Sequence, residues 1–207
     1  RRLHQACQGR PPTGRQCSDG PRRTGLIRRS EPSEAPGSDD VRVRARVAYH
    51  GAPFHGFADN PGVPTVAGAL NESLGRAVGE PVAVTCAGRT DRGVHALGQV
   101  VSFDVPDGTD LGTLARSVNA QCGPAVVMAG LVVAADDFDA RFSATGRTYR
   151  YRILNRSEPD PLLADQSWHV PEPLDLEAMT EAGRYLLGVH DFTSFCRRPR
   201  TGRAMEP

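Results

Sequence analysis

An arginine and an aspartate two residues apart, Arg89 and Asp91, stand between Gly88 and Gly93. If the segment between the glycines is extended, the two charged side chains point to the same side. A guanidinium beside a carboxylate favours the ionised form of that carboxylate. An ionised, positioned aspartate acts as a nucleophile or a general base in many enzymes. The same spacing also fits an ion pair that braces a surface turn, which is the commoner outcome for so short a pattern.

The string around this pair is longer and resembles a family signature. The tRNA pseudouridine synthase A family carries Gly-Arg-Thr-Asp-x-Gly-Val-His followed by Gly-Gln-Val-Val, and the matching stretches here are 88–91, 93–95 and 98–101. The resemblance implies an isomerase that converts uridine to pseudouridine at positions 38 to 40 of the tRNA anticodon stem-loop. It implies no cofactor, no metal and no nucleotide, because breaking the N1–C1′ bond and rejoining the base through C5 needs no redox step or energy input.

The resemblance also implies roles for single residues. Asp91 would attack the sugar C1′ or assist formation of a glycal, and the sequence leaves both routes open. Arg89 would hold Asp91 ionised and occupy the gap left by the flipped base, while Tyr149 would pack on the uracil. The remaining residues would shape the loop or contact RNA: Gly88, Thr90, Gly93, His95, Arg147 and Arg150.

A second cluster of arginines and aromatic residues occupies 141–156, without one acid. We predict a strand over 145–154. Four of its side chains share one face: Arg147, Tyr149, Tyr151 and Ile153. Arginine interleaved with aromatic rings suits RNA, because guanidinium groups bind phosphate and rings stack on bases. An ordinary strand with half-buried tyrosines explains the pattern equally well, but the string 136–151 resembles the family's second signature.

The elements before and around these residues must position them. The alternation from Val41 to Tyr49 predicts a strand with one apolar and one basic face. Apolar residues that recur every four positions from Val66 predict a helix that Thr65 caps and that ends near Gly79. The other predicted elements are a strand at 82–86, a strand at about 97–105, a helix that begins at Asp110 and a strand at 125–134.

The order strand, helix, strand, strand, helix, strand predicts an α+β fold, a ferredoxin-like α/β sandwich. Its antiparallel sheet would carry both helices on one face and leave the other free for a ligand. We therefore divide the chain into an Arg-, Pro- and Gly-rich tail at 1–40, predicted to be disordered, an N-terminal ferredoxin-like half with the catalytic loop at 41–140, and the start of a second half at 141–207.

The predicted second half is short. Prolines between 159 and 173 predict a long loop that includes Trp168 and His169, and a helix is expected over 175–187. The family joins two such halves into one sheet, with the active site between them. The resemblance therefore implies a C-terminally truncated chain with an incomplete second half of the pseudouridine synthase fold.

Composition sets further bounds. The chain has 207 residues, a net charge of +1, and 25 basic residues that are all arginine. Five cysteines without a C-x-x-C spacing argue against a disulfide framework or a cysteine zinc site. No apolar run approaches the ~20 residues of a membrane span, so a cytoplasmic protein is expected. The resemblance implies tRNA as partner and a homodimer in the full-length form.

Two other functions stay open. The chain could be a catalytically inactive, RNA-binding fragment of the same family, or a ferredoxin-like enzyme that uses the Arg89–Asp91 pair on a substrate other than RNA. Substitution of Asp91 tests the inactive fragment, which has no turnover to lose. Measurement of RNA affinity against salt tests the enzyme with another substrate, which should show no salt-sensitive RNA binding. Phe57 and Ala67 stand where the family usually has Trp and Gln, which predicts altered local RNA contacts.

Overall fold

The structure, a computed structural model, describes residues 40–195. Alternating valines and arginines form strand β1 (Asp40–Tyr49). Val43, Ala45 and Val47 are buried, whereas the arginines between them lie on the opposite face. The strand therefore has the apolar and basic faces that its sequence predicts.

Five further elements follow in the predicted order. They are α1 (Val66–Val78), β2 (Thr85–Cys86), β3 (Ala96–Pro106), α2 (Leu111–Cys122) and β4 (Val126–Val133). The four strands form an antiparallel sheet in the order β2-β3-β1-β4. Strand β1 is central, and Arg44 lies opposite Ser102 of β3 and Val132 of β4.

Local caps set the ends of the two helices. The Thr65 hydroxyl accepts a hydrogen bond from the backbone N–H of Gly68, and Gly79 ends α1 with φ 94°. Asp110 caps α2 through the backbone N–H groups of Gly112 and Thr113. Hydrogen bonds from Thr113, with its hydroxyl first, lower the pKa of Asp110 below its ordinary value. The Thr65 cap is the one that the sequence predicts, and α2 begins directly after Asp110, where the sequence predicts its start.

One apolar cluster joins the sheet to both helices. Leu70 and Leu74 of α1 and Leu114 and Val118 of α2 pack in the same cluster as the inward residues of β1. Phe57 is also buried there, 1% exposed. The residue that stands where the family has Trp is therefore part of the core.

Strand β2 is shorter than predicted, with two residues where the sequence favours five. Its ladder reaches only Ser102 and Val101 of β3. The backbone N–H of Val84 donates instead to the side chain of Asn71, 3.0 Å away. A strand forms only where neighbouring backbone groups are available, and here a side chain takes one of them.

The second face of the sheet is partly covered, contrary to the prediction of a free face. The backbone N–H of Ala140 donates to the Ser102 hydroxyl at 3.1 Å, and Arg42 donates to the Phe138 carbonyl at 3.0 Å. Arg42 also pairs with Asp104. Arg44 and Arg46 remain exposed beyond this contact.

After residue 140 the elements are short. Strands β5 (Ile153–Asn155) and β6 (Trp168–Val170) form a parallel pair, and helix α3 (Leu176–Arg184) begins after the cap Asp175. A single 3₁₀ turn follows at Thr193–Phe195. The described part of the chain is thus a mixed α+β protein with three helices, a four-stranded antiparallel sheet and a small parallel sheet.

Two predictions for this region are wrong. The strand predicted over 145–154 is absent up to residue 152, because β6 gives a partner only to Ile153–Asn155. Trp168 and His169 lie in β6 rather than in a loop. Tyr149 and Tyr151 are 65% and 89% exposed, so the alternative of half-buried tyrosines in a strand fails as well.

The predicted disordered tail at 1–40 lies outside the described residues, except for Asp40 itself. No helix within 40–195 combines the length and apolarity needed to cross a membrane.

Candidate active site

The loop from Gly88 to His95 joins β2 to β3, and its first residue is held from both sides. The Gln99 side chain donates to the Gly88 carbonyl at 2.6 Å and accepts from the Gly88 N–H at 3.4 Å. The N–H of Ala87 donates to the Val100 carbonyl at 2.9 Å. The start of the loop is therefore fixed on β3.

Thr90 anchors the middle of the loop. Its hydroxyl lies 2.8 Å from the hydroxyl of Tyr49, and its carbonyl accepts from the N–H of Phe57 at 3.0 Å. Tyr49 is 4% exposed, and burial raises its pKa above the ordinary value. Arg89 and Asp91, on either side of Thr90, are exposed. The loop thus holds its threonine inside and presents both charged groups to solvent.

A tight turn follows Asp91. The N–H of Val94 donates to the Asp91 carbonyl at 3.2 Å, and Gly93 adopts φ 79°, which glycine tolerates best. A methyl group on Gly51 would lie 2.1 Å from the Val94 carbonyl oxygen. The segment after β1 therefore touches this turn so closely that Gly51 is required.

His95 closes the loop. Its Nδ1 accepts a hydrogen bond from the N–H of Gly51 at 3.2 Å, and its Nε2 lies 2.5 Å from the carbonyl oxygen of Asp165. Both ring nitrogens are engaged within the protein, which favours the loop-shaping role over an acid or base role for His95.

Two residues from beyond the sheet reach the start of the loop. Arg147 donates through Nε to the Ala87 carbonyl at 2.9 Å. A methyl group on Gly88 would lie 3.0 Å from Arg147 Nε and 3.8 Å from the Tyr149 hydroxyl. The structure therefore brings Arg147 and Tyr149 beside Gly88, although they are about 60 residues away in the chain.

Arg89 and Asp91 do not form an ion pair in this loop, so the alternative of a pair that braces a surface turn is not seen. Within residues 40–195 the ion pairs involve other groups, and no Arg89–Asp91 contact within 4 Å is present. Exposed charged side chains gain little from pairing in water, which is the physical reason. Arg150 is exposed too, and no hydrogen bond to its side chain is found in the part of the chain described.

Sequence reasoning missed three residues that hold the loop: Tyr49, Gly51 and Gln99. Gln99 lies inside the matched string, which was a usable signal. The alternation of β1 places Tyr49 on the apolar face of the strand but does not indicate that its hydroxyl reaches Thr90. Nothing in the local sequence of Gly51 distinguishes it from the other glycines of its loop.

The described residues also include an aspartate-rich segment and a buried thiol. No group of three or more His, Cys, Asp or Glu residues in 40–195 is placed to hold a metal ion. Asp139 instead caps a turn, accepting from the N–H groups of Arg141 and Phe142. Burial raises the pKa of the Cys86 thiol, with the charge of Arg89 opposing the shift. A thiol with a raised pKa is a poor nucleophile.

Fold and loop together define a class: an α+β protein whose sheet carries a tightly held loop that exposes a carboxylate, with an arginine and a tyrosine near the first residue of that loop. Curated relatives identify the family. The chain is 47% identical over 162 residues to a tRNA pseudouridine synthase A of Frankia casuarinae (76% of this chain, 58% of the relative). It is 48% identical over 157 residues to the one of Rhodopseudomonas palustris strain HaA2 (74% and 63%), and 45% over 155 residues to the one of Dechloromonas aromatica (75% and 59%).

The chain belongs to the tRNA pseudouridine synthase A family. No family model matches it. The chain spans about three fifths of the length of these curated relatives, 58% to 63% of each.

Proposed function

We propose that this protein is a tRNA pseudouridine synthase that isomerises uridine in the anticodon stem-loop. One observation carries the proposal: Asp91 is exposed on a loop whose neighbours fix it at Gly88, Thr90 and His95. The relatives that carry the name support the same reaction. An exposed, positioned carboxylate is what attack on a bound ribose requires.

The reaction is an isomerisation, so every atom must be accounted for within the substrate. The N1–C1′ bond breaks, the uracil turns, and a C5–C1′ bond forms, while C5 loses a proton and N1 gains one. Asp91 acts at the sugar, either by attack on C1′ or by accepting a proton as the glycal forms. Both routes leave the enzyme unchanged at the end.

Residues beside the loop have roles that follow from their chemistry. Tyr149 is exposed next to Gly88, where its ring is free to pack on a base. Arg89 and Arg150 are exposed guanidinium groups that suit phosphate or the gap left by a flipped base. Arg147 is already bonded to the Ala87 carbonyl, so we assign it to holding the Tyr149 segment near the loop.

We also propose the finer fold and partners. The strand order β2-β3-β1-β4 around two helices supports a ferredoxin-like half over 41–140, with 141–207 as the start of a second half. Assembly into a homodimer and action in the cytoplasm stay predictions, as does tRNA as the partner.

The test is pseudouridine formation in an unmodified tRNA transcript. Asp91→Asn should lower the rate by at least about 1,000-fold, because the carboxylate oxygen that attacks is replaced by an amide. Asp137→Asn is the matched control, since it makes the same chemical change at another exposed aspartate. The control should keep the rate and both variants should keep RNA affinity.

Other outcomes separate the alternatives. Salt-sensitive tRNA binding without product in either form would favour the inactive RNA-binding protein. Neither binding nor product from a folded chain would overturn the proposal. Equal rates for Asp91→Asn and the unsubstituted chain would remove Asp91 from the mechanism.

A further inference from the structure

Three residues meet at the far end of the Asp91 loop, outside the residues assigned above to catalysis. His50 Nε2 lies 2.7 Å from Oδ2 of Asp165, and the rings of His50 and His95 are 4.6 Å apart, edge to face. The carbonyl oxygen of Asp165 lies 2.5 Å from His95 Nε2. Asp165 therefore contacts two histidines at once, through its carboxylate and through its backbone.

The hydrogen bonds determine the tautomer of His95. A backbone N–H, that of Gly51, points at Nδ1, so Nδ1 must accept. A carbonyl oxygen faces Nε2, so Nε2 must carry the proton and donate. His95 thus bridges the segment after β1 and the segment that contains Asp165.

Asp165 itself sits on a well-defined turn. The N–H groups of Gln166 and Ser167 both donate to the Leu163 carbonyl, at 3.0 and 2.9 Å, just before β6 begins. The hydroxyl of Ser167 donates to the same carbonyl at 2.8 Å. The carbonyl of Asp165 is therefore presented to His95 by a turn with its own internal bonds.

The chain between Arg147 and Asp165 is tied to the Asp91 loop at both ends. Arg147 bonds to Ala87, just before the loop, and Asp165 bonds to His95, at its end. Tyr149 lies between these two ties and is largely exposed.

We propose that Asp165 is a positioning residue, whose two contacts to His50 and His95 hold the Tyr149 segment in register with the Asp91 loop. Only the expected effect on kcat rests on the proposed function. The tie itself is a property of the fold and is measurable without turnover.

Two substitutions of His95 separate its two bonds. In His95→Asn, the amide oxygen reproduces the Nδ1 acceptor for the Gly51 N–H, but the side chain is too short to reach the carbonyl of Asp165. The amide group of His95→Gln reproduces the Nε2 donor for Asp165. Amide hydrogen exchange over 88–95 and 147–167 should rise about tenfold in His95→Asn, and less in His95→Gln, because the former loses the tie.

Asp165→Ala removes the carboxylate and leaves the backbone bond. Exchange at 88–95 should rise by less than in His95→Asn, and kcat should fall about tenfold with KM nearly unchanged, because a misplaced Tyr149 costs more in the reacting complex than in binding. Asp165→Asn, which keeps an acceptor for His50, should restore most of kcat. Asp137→Ala is the control for a lost exposed carboxylate.

These experiments have separate outcomes for the tie, meaning the contacts of Asp165 with His95 and His50, and for the reaction. Unchanged exchange in His95→Asn would overturn the tie, whether or not the protein forms pseudouridine. Raised exchange with kcat unchanged in Asp165→Ala, in an active protein, would overturn the positioning role. Raised exchange in His95→Asn in a chain that forms no product would support the tie and count against the proposed function alone.

Discussion

Residues 40–134 and residues 141–195 both contain capped helices with an apolar pattern, but the two regions differ in how these helices are packed. In the first region the inward residues of β1, α1 and α2 share one apolar cluster. In the second, helix α3 has a cap and an apolar pattern, yet none of its residues is buried within the described structure. A cap therefore starts a helix in both regions, but only packing removes its apolar face from water.

The contacts between the two regions are few and specific. Arg147 bonds to Ala87, and Asp165 bonds to His95 and to His50. Two of these sites flank the Asp91 loop. The candidate active site thus lies where a well-packed region meets a thinly packed one, and its geometry depends on polar ties more than on a shared core.

The largest expected effect tests this contrast in packing directly. Leu70→Ala, at a residue that is 0% exposed, should lower the free energy of unfolding by about 3 kcal/mol, because it leaves a cavity in the core. Leu187→Ala, at a residue that is 73% exposed, should change it by less than about 0.5 kcal/mol. Urea denaturation measures both, and a large loss for Leu187 would show that its side chain is buried in solution.

A smaller effect is expected from two glycines, one in each region. Gly51→Ala should cost about 2 kcal/mol and shift the Asp91 loop, since the new methyl would overlap the Val94 carbonyl. Gly146→Ala has nothing within 4 Å of the new methyl and should be neutral or slightly stabilising. Thermal unfolding gives the comparison, and equal melting temperatures for the two variants would contradict the close approach at Gly51.

The smallest effect concerns two tyrosines. Tyr49→Phe should cost about 1 kcal/mol, because the Thr90 hydroxyl loses its partner. Tyr151→Phe, at a residue that is 89% exposed, should cost nothing measurable.

Tyr49 also gives a pH dependence. Its pKa is raised by burial, so the folded state disfavours the tyrosinate. The contribution of protonated Tyr49 to the free energy of unfolding is fully present below the pKa of an unfolded tyrosine, about 10. It is lost as pH rises through the higher pKa of Tyr49 in the folded state. Stability should therefore fall above about pH 10 in the unsubstituted chain and fall later in Tyr49→Phe. Identical alkaline unfolding curves for the two proteins would show that Tyr49 titrates as an exposed tyrosine.

Prediction from sequence succeeded where the signal is local and periodic. The alternation of β1, the Thr65 cap and the Gly79 end of α1 are confirmed, because each depends on residues a few positions apart. It failed for the strand at 145–154, where a matching pattern had no partner strand up to residue 152. Sequence also left open whether Arg89 and Asp91 pair, and the structure shows no such pair, since adjacency in sequence does not oblige exposed charges to meet.

The sequence by itself determined the family, the order of the first six elements and the residues of the Asp91 loop. Short-range periodicity, capping and a long motif are properties of consecutive residues. Only the tertiary structure decided which distant groups hold that loop: Gln99 at Gly88, Tyr49 at Thr90, and Asp165 at His95, which are 11, 41 and 70 residues apart in the chain. These pairings depend on how strands and turns come together in space, and no local pattern encodes the distance between residues so far apart.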